Sequence, residues 1–368
     1  MRIGCDALIV GGGPSGLSTG SFISKKGFKT IILEEHREIG RPEQCAGLVS
    51  WRIGKLPQKL VLNRVDTARF CLGNKSFEVY SKKDMLVIDR AGYDKHLAEN
   101  ALAEGAEIRL GERVIGLKEG CVVTSMGNHY SGRILVGADG PNSIVARLTG
   151  LKQPGNLLFA LQCVAKGVFE QHVVELRFEP EFSNEVFAWI IPLSRSRARV
   201  GLLTSDNPWP RFRLLLKRLG MRRVEARVVG DSIRFGLMSK TSASRVILVG
   251  DAACQVKPFS LGGLVYSRIC SRIAGDSCIT ALERNLFDGG FLAETYDSVW
   301  RRTIGGALEK GLRMRMLFNL MRRMPVSFAL TRILGLNLLA GRVLDPDFLG
   351  KNPIPNESVG FFHKKLKI

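Results

Sequence analysis

The sequence has no pair of cysteines at C-x-x-C spacing, although it holds 8 cysteines. Its 5 histidines form no cluster with them at metal-ligand spacing. This argues against a zinc site, a thioredoxin-like redox motif and a disulfide-stapled small domain. No window reaches the roughly 18–20 apolar residues that a membrane-spanning helix needs. The nearest, "VSFALTRILGLNLLAGRVL", is interrupted by Arg332 and Arg342. The opening "MRIGCDALIVGGG" has too short an apolar run for the core of a secretory signal and leads straight into a glycine loop. The expectation is an intracellular, cytoplasmic protein with mostly reduced, buried thiols. Internal repeats and low-complexity segments are also missing.

Acidic residues are scarce relative to basic ones. Against 54 Lys+Arg stand 34 Asp+Glu, leaving +20 over 368 residues. Such a balance favours an anionic partner (lipid headgroups, nucleic acid or an acidic protein) or belongs to a merely basic, soluble surface. No recognised nucleic-acid motif accompanies the charge, so nucleic acid is not expected as a partner.

Glycine, by contrast, is plentiful at 40 residues. It marks tight turns and close backbone approaches rather than a linker. The chain is long enough for two or three domains around real cores. "DALIVGGGPSGLSTGSFISKKGFKTIILEE" reads as strand, glycine turn, helix and strand, with Gly27 ending the helix. This βαβ unit carries Gly11-x-Gly13-x-x-Gly16, with Ser15 in the same turn. Gly11 permits the tight turn, Gly13 lets the backbone approach a pyrophosphate, and Gly16 lets the helix pack closely on the strand. The helix N-terminus then offers free N–H groups to phosphate. Glu34, at the end of the next strand, can accept hydrogen bonds from both ribose hydroxyls and would repel a 2′-phosphate.

Two later loops have related chemistry. "GADGPNS" (137–143) and "VGDAACQVKPFSLGGL" (249–264) each follow a short apolar strand and carry an acid beside glycine. Asp251 opens the second, which ends in Gly262-Gly263 at the start of a helix, a further anion site. An alternative role for Asp251 is simple helix capping. Residues 61–87 and 157–230 are rich in strand patterns, and from about Glu294 the chain is helical, basic and Met-rich.

In this order the loops resemble FAD-dependent oxidoreductases of the p-hydroxybenzoate hydroxylase-like fold, over most of residues 1–300. The implied fold class is α/β: a Rossmann-type FAD-binding domain (1–60, 86–152 and 232–295), a mixed β-sheet substrate domain (61–85 and 153–231) and a helical C-terminal region (296–368). The resemblance implies FAD as cofactor. It places Glu34 at the adenosine ribose, Asp251 near the ribityl chain, Gly263 and Leu264 under the isoalloxazine, and Gly262 among the cofactor-binding residues. It places Arg90, in "DRAGYDKHLA", and Val114 at the cofactor as well.

One branch of that fold carries G-[RS]-P-x-x-C-[AG]-G after the second strand. Gly40, Arg41, Pro42, Cys45, Ala46 and Gly47 match it, and on these residues the chain resembles the geranylgeranyl reductase family, including the archaeal digeranylgeranylglycerophospholipid reductases. The resemblance implies that Cys45 and Ala46 sit against the flavin, at the mouth of the site, and that Gly47 is among the cofactor-binding residues. The family's Y-x-W-x-F-P-K signature is met by Phe187, Trp189, Ile191, Pro192 and Leu193. Trp189 and Pro192 are kept, while the tyrosine, phenylalanine and lysine are replaced. In a strand, 187, 189 and 191 share one face, here apolar apart from the indole N–H. Phe187, Trp189, Ile191 and Pro192 are the expected substrate residues.

Saturating an isolated isoprenoid double bond requires hydride, a proton and exclusion of water, so the expected site is a long apolar tunnel ending on the flavin. No His or Glu stands out as general acid, and Cys45 is the catalytic candidate. Its plainer reading is a small buried hydrophobe, which is also the reading of Cys254. In "GLRMRMLFNLMRRM", residues 316, 317, 320, 321 and 324 share a helical face opposite Arg315 and Arg322, with Arg313 inside the apolar stripe. That suits an interfacial helix, a soft roof over a flexible chain, or an ordinary core helix.

The expected function is FAD-dependent saturation of geranylgeranyl chains on membrane ether lipids or their precursors. A prenyl lipid is the substrate, and an anionic membrane surface is a partner to which the protein is peripheral. The electron donor is ferredoxin, a deazaflavin or NAD(P)H. Two alternatives stand beside it: a flavin-dependent monooxygenase or halogenase acting on an aromatic substrate, and a non-catalytic flavin electron carrier at the membrane. "FAWIIP" echoes only the second half of the halogenase motif WxWxIP.

Overall fold

A computed structural model describes residues 2–183, 186–221, 224, 225, 227–322 and Asp347. The chain opens with β1 (Arg2–Val10), α1 (Pro14–Ser24), β2 (Thr30–Glu34) and the short β3 (Leu48–Val49). There follow β4 (Val61–Leu72), β5 (Lys75–Ile88), α2 (Arg90–Ala103), β6 (Glu107–Leu110), β7 (Val114–Lys118), β8 (Cys121–Thr124), β9 (His129–Gly137) and α3 (Ile144–Thr149). Next come β10 (Leu157–Lys166), β11 (Val173–Arg177), β12 (Ala188–Ser194), β13 (Arg197–Thr204), α4 (Pro208–Arg218) and β14 (Val229–Arg234). The last elements are β15 (Ser242–Ala243), β16 (Val246–Leu248), α5 (Leu264–Arg284), α6 (Gly289–Leu292), α7 (Ser298–Trp300) and α8 (Gly306–Arg322).

The strands form two sheets. The first has the order β15-β16-β9-β1-β2-β6, and the β7–β8 hairpin pairs onto β9. β1 is parallel to β2 on one side and to β9 on the other. Covered on both faces, it reads as the continuous apolar run "ALIV" rather than an alternating one. α1 and α5 pack on one face, and Leu17, Ile23, Val265 and Ile269 join Ile9 and Ile32 in a single core. Their contact is close: a Cβ added to Gly275 on α5 would lie 2.8 Å from Phe22 Cβ. Ser15 on α1 donates its hydroxyl to Ser267 on α5 at 3.0 Å.

The second sheet has the order β14-β10-β13-β12-β11-β4-β5-β3. One face packs on α4 through Leu161, Val200, Leu202, Phe212 and Leu215. The other carries Leu158, Trp189, Ile191 and Leu203. The two sets alternate along each strand, as a sheet covered on both faces requires.

The sheets do not divide at the domain limits expected from sequence. Leu48–Val49, expected on the cofactor side, pairs with β5, and β14 continues to Arg234. The helical run from α6 to α8 is interrupted by π-helical turns at Ala293–Asp297 and Arg301–Gly305. The remainder of the expected C-terminal helical region, with Met324, lies outside the described residues, apart from Asp347. Among the described residues no helix is long and apolar enough to cross a membrane.

Candidate active site

A cavity of about 1220 Å3 lies between the two sheets. This exceeds the usual small-molecule pocket of about 300–1,000 Å3 and has room for a dinucleotide and an elongated second guest.

Its first wall is the glycine turn after β1. Gly11 has φ +108°, and a Cβ there would lie 2.2 Å from the Ala138 carbonyl oxygen. A Cβ on Gly16 would lie 1.9 Å from the Gly11 carbonyl oxygen, so Gly16 packs beneath the turn and does not line the cavity. Gly13 is different: nothing stands within 4 Å of where its Cβ would be, and its open face lines the cavity. α1 begins there with no side-chain cap and no acid in its first turn, leaving backbone donors for an anion. Glu34 is held by the Gly12 N–H at 2.7 Å, the His36 N–H at 2.8 Å and the His36 ring Nδ1 at 2.6 Å. Pyrophosphate at the turn and ribose at Glu34 fit this arrangement.

Asp251 faces the uncapped start of α5, its Oδ1 3.1 Å from where a Cβ of Gly263 would stand. Burial raises the Asp251 pKa, and Arg90 opposes that rise. Gly262, Gly263, Leu264, Ser15 and Val114 line the same cavity. Asp139, in the second acidic loop, orders its own turn by accepting from Ser143 Oγ at 2.6 Å and the Val145 N–H at 3.0 Å. Arg90 is paired with Asp94 one helical turn on, a partner with no signal in the sequence beyond its i,i+4 spacing.

The Cys45 loop forms the floor between the two walls, and it is tied down from the second sheet. Gln162 on β10 donates to the carbonyls of Cys45 at 2.9 Å and Glu43 at 3.3 Å. Arg199 on β13 donates to Ala46 O and Ile88 O, both at 3.0 Å, and pairs with the Glu43 carboxylate. Gln44 donates to Gly230 O at 3.2 Å. Gly47 is required: its φ is +68°, and a Cβ would lie 2.3 Å from Arg199 Nη1. Cys45, Ala46 and Gly47 all line the cavity, and the Gly47 N–H points at Cys45 Sγ at 3.4 Å. Cys254 does not line it; it is fully buried, and burial pushes its thiol up to about 12.

The second wall is apolar. Phe187, Trp189 and Ile191 line it together with Phe178, Leu203 and Phe318. Trp189 lies over Gly201 on the neighbouring strand, where an added Cβ would be 2.2 Å from the indole ring, and its buried Nε1 has no hydrogen-bond partner. Pro192 corrects the expectation for the substrate residues. It is buried but does not line the cavity, because strand alternation turns it away from 189 and 191.

The helical face expected at 316, 317 and 320 is outward. Met316, Leu317 and Leu320 are 71%, 45% and 55% exposed, while Arg315 is buried, donating to Pro258 O at 3.1 Å over the Phe235 ring. An ordinary core helix would have the opposite phase. Leu317 and the exposed Tyr80 both line the cavity and mark its mouth. The Met321 and Met324 side chains lie outside the described residues.

An FAD binding domain model matches residues 4–50. The digeranylgeranylglycerophospholipid reductase 2 of Methanopyrus kandleri is 30% identical over 349 residues, spanning 85% of this chain and 86% of the relative. The chain belongs to this reductase family. Its cofactor is FAD, in agreement with the open phosphate cradle and the held Glu34. A geranylgeranyl bacteriochlorophyll reductase-like protein of Thermoplasma acidophilum superposes with a TM-score of 0.82 at 21% identity, over 95% of this chain and 96% of that one. A flavin-dependent brominase variant superposes less closely, with a TM-score of 0.71 at 16% identity over 95% and 96% of the two chains. The Rossmann-type domain, the mixed second sheet and the helical region that follows agree with the α/β fold class expected from sequence.

Proposed function

We propose that this member of the reductase family saturates isoprenoid double bonds of geranylgeranyl chains on membrane ether lipids or their precursors. The observation that carries the reading is one cavity in which a dinucleotide cradle on one sheet faces a wall of apolar and aromatic side chains on the other. Reduced FAD, when bound, supplies the hydride. The chain's residues supply the rest. The glycine turn and Glu34 hold the adenine half, and the start of α5 with Asp251 receives the other half. Phe187, Trp189 and Ile191 hold the prenyl chain and exclude water. Cys45, which lines the cavity, is the catalytic candidate of the floor.

The lipid enters from an anionic membrane surface to which the protein docks. Exposed Met316, Leu317 and Leu320 near the mouth, and the net charge of +20, support this reading. Trp51 lies on the same chain's surface under Lys83, whose Nζ is 4.0 Å from the ring centroid, and beside Arg52. Such an aromatic–basic cluster suits the headgroup level. Reduced ferredoxin, a deazaflavin or NAD(P)H delivers the electrons.

The test is anaerobic. Holoprotein is reduced with dithionite, freed of excess and mixed with digeranylgeranyl phospholipid, and flavin absorbance is followed alongside lipid mass. Flavin reoxidation with a gain of paired hydrogens is expected. Flavin that stays reduced with lipid but reoxidises promptly in air would move the assignment to oxygen-using chemistry or electron carriage.

A further inference from the structure

We propose that Asp231 is the general acid of this reduction, delivering from the apolar wall the proton that one alkene carbon receives while the other takes hydride. The inference rests on the reductase reading above. It starts from position. β14 is the edge strand of the second sheet, where that sheet meets the cofactor side: Asn142 donates to Ser232 Oγ at 2.9 Å, and Arg234 donates to Pro141 O at 2.9 Å. Asp231 pairs with Ala160 in the ladder, and Val229 pairs with Gln162. Asp231 therefore shares the cavity face with Gln162, the residue that grips the Cys45 carbonyl. Its neighbour Gly230 receives the Gln44 side chain from the same floor.

Among the cavity-lining residues of β10 to β14, Asp231 is the one carboxylate in an otherwise apolar or neutral wall relieved by Arg234. Arg234 is occupied elsewhere, donating to Pro141 O, Pro154 O and Asn142 Oδ1. A lone carboxylate on such a wall is costly as an anion, and cheaper as an acid holding its proton. Burial pushes it up to about 7; the Ser232 N–H opposes this, and Asp251 across the cavity adds to it. The other titratable groups lining the cavity on the elements around it include Cys45, Glu43, which pairs with Arg199, Asp139, which accepts from Ser143, Asp251, and Arg90, which pairs with Asp94. Lys257, also lining the cavity, pairs with Asp347 at 2.9 Å.

The step balances simply. A C–H bond forms at each carbon of the C=C as its π bond breaks. The hydride carries two electrons away from reduced flavin, which becomes oxidised. The proton leaves the Asp231 carboxyl, and the resulting carboxylate recovers a proton from solvent before the next turnover. A proton donor near its working pH serves such transfer well.

The experiment compares wild type with Asp231→Asn, Asp231→Glu and Cys45→Ala in the anaerobic lipid assay across pH. Infrared difference titration of the FAD-loaded proteins without lipid runs in parallel. Expected are a protonated-carboxyl band that titrates near neutrality and vanishes in Asp231→Asn, and lipid-dependent reoxidation slowed about 100-fold or more in that variant. Asp231→Glu should restore part of the rate with a displaced pH limb. FAD content and dithionite reduction should match wild type. Asp231→Asn that reoxidises at the wild-type rate with the same pH limb overturns the proposal. So does loss of that limb in Cys45→Ala alone, or absence of the infrared band. Wild-type flavin that lipid does not reoxidise overturns the reductase reading first, and the proposal with it.

Discussion

Arg199 and Ala46 lie 153 positions apart in sequence and are joined by a 3.0 Å hydrogen bond from guanidinium to carbonyl. This bond locks the Cys45 loop to the second sheet. The same guanidinium serves Ile88 O and the Glu43 carboxylate, and it is almost completely buried. The cofactor floor and the substrate wall are thereby held as one piece.

Replacing Arg199 by Ala leaves two carbonyls and a carboxylate without their donor. Loss of one partner of a fully buried ion pair costs about 3–5 kcal/mol, and the partly exposed Glu43 brings the cost here below that range. Arg199→Ala should lower the melting temperature markedly and weaken FAD binding, read by thermal denaturation and by flavin fluorescence titration. An unchanged flavin affinity would show that the clamp does not shape the cofactor floor.

Gly13 and Gly16 of the first turn should respond differently to alanine. At Gly16 the new Cβ meets backbone at 1.9 Å, so the fold of the turn must shift. At Gly13 it meets nothing within 4 Å. Gly13→Ala should therefore keep its apoprotein stability within about 0.5 kcal/mol of wild type, yet lose FAD affinity, because the methyl group enters the space of the pyrophosphate. Gly16→Ala should lose both. Apoprotein melting and bound-flavin absorbance separate the two cases.

Gly201→Ala should push Trp189 off its seat. Overpacking of this kind costs about 1–3 kcal/mol. The expected outcomes are a shifted tryptophan emission spectrum and slower lipid-driven flavin reoxidation with FAD still bound. An unmoved spectrum would contradict the contact.

Asp231 makes a stability prediction apart from catalysis. Its folded pKa of about 7 lies above the ordinary value of 3.8. The folded state therefore holds a proton that the unfolded chain has released, and wild type loses stability as pH rises from the ordinary value through about 7. Asp231→Asn should escape that loss, with its advantage over wild type growing from acid to about pH 8, up to ~4 kcal/mol. Thermal denaturation of both proteins at about pH 5 and about pH 8 checks the sign; a gap that shrinks with rising pH would refute it.

The local signals were legible in the sequence because their physics is local. A glycine turn between a buried strand and a helix, an acid at the next strand end and a strand with apolar odd positions each depend on a few consecutive residues. They carried the cofactor, the fold class, the family resemblance and the lining roles of Phe187, Trp189 and Ile191. Alternation within that strand also determines that Pro192 turns away, a consequence visible once β12 is fixed between β11 and β13. The partners of the Cys45 loop had no such signal. Gln162 and Arg199 stand in ordinary-looking strands, and only the pairing of β10 with β13 brings them under the loop. Asp231 sits in "VVGDSIR", where nothing nearby marks it. Its character comes from a carboxylate being placed on an apolar wall opposite Asp251, and burial and facing charge are properties of the packed sheets. The sequence by itself thus determined which cofactor chemistry the chain is built for. The tertiary structure decided which side chains surround the reacting space, because that depends on contacts between residues more than a hundred positions apart.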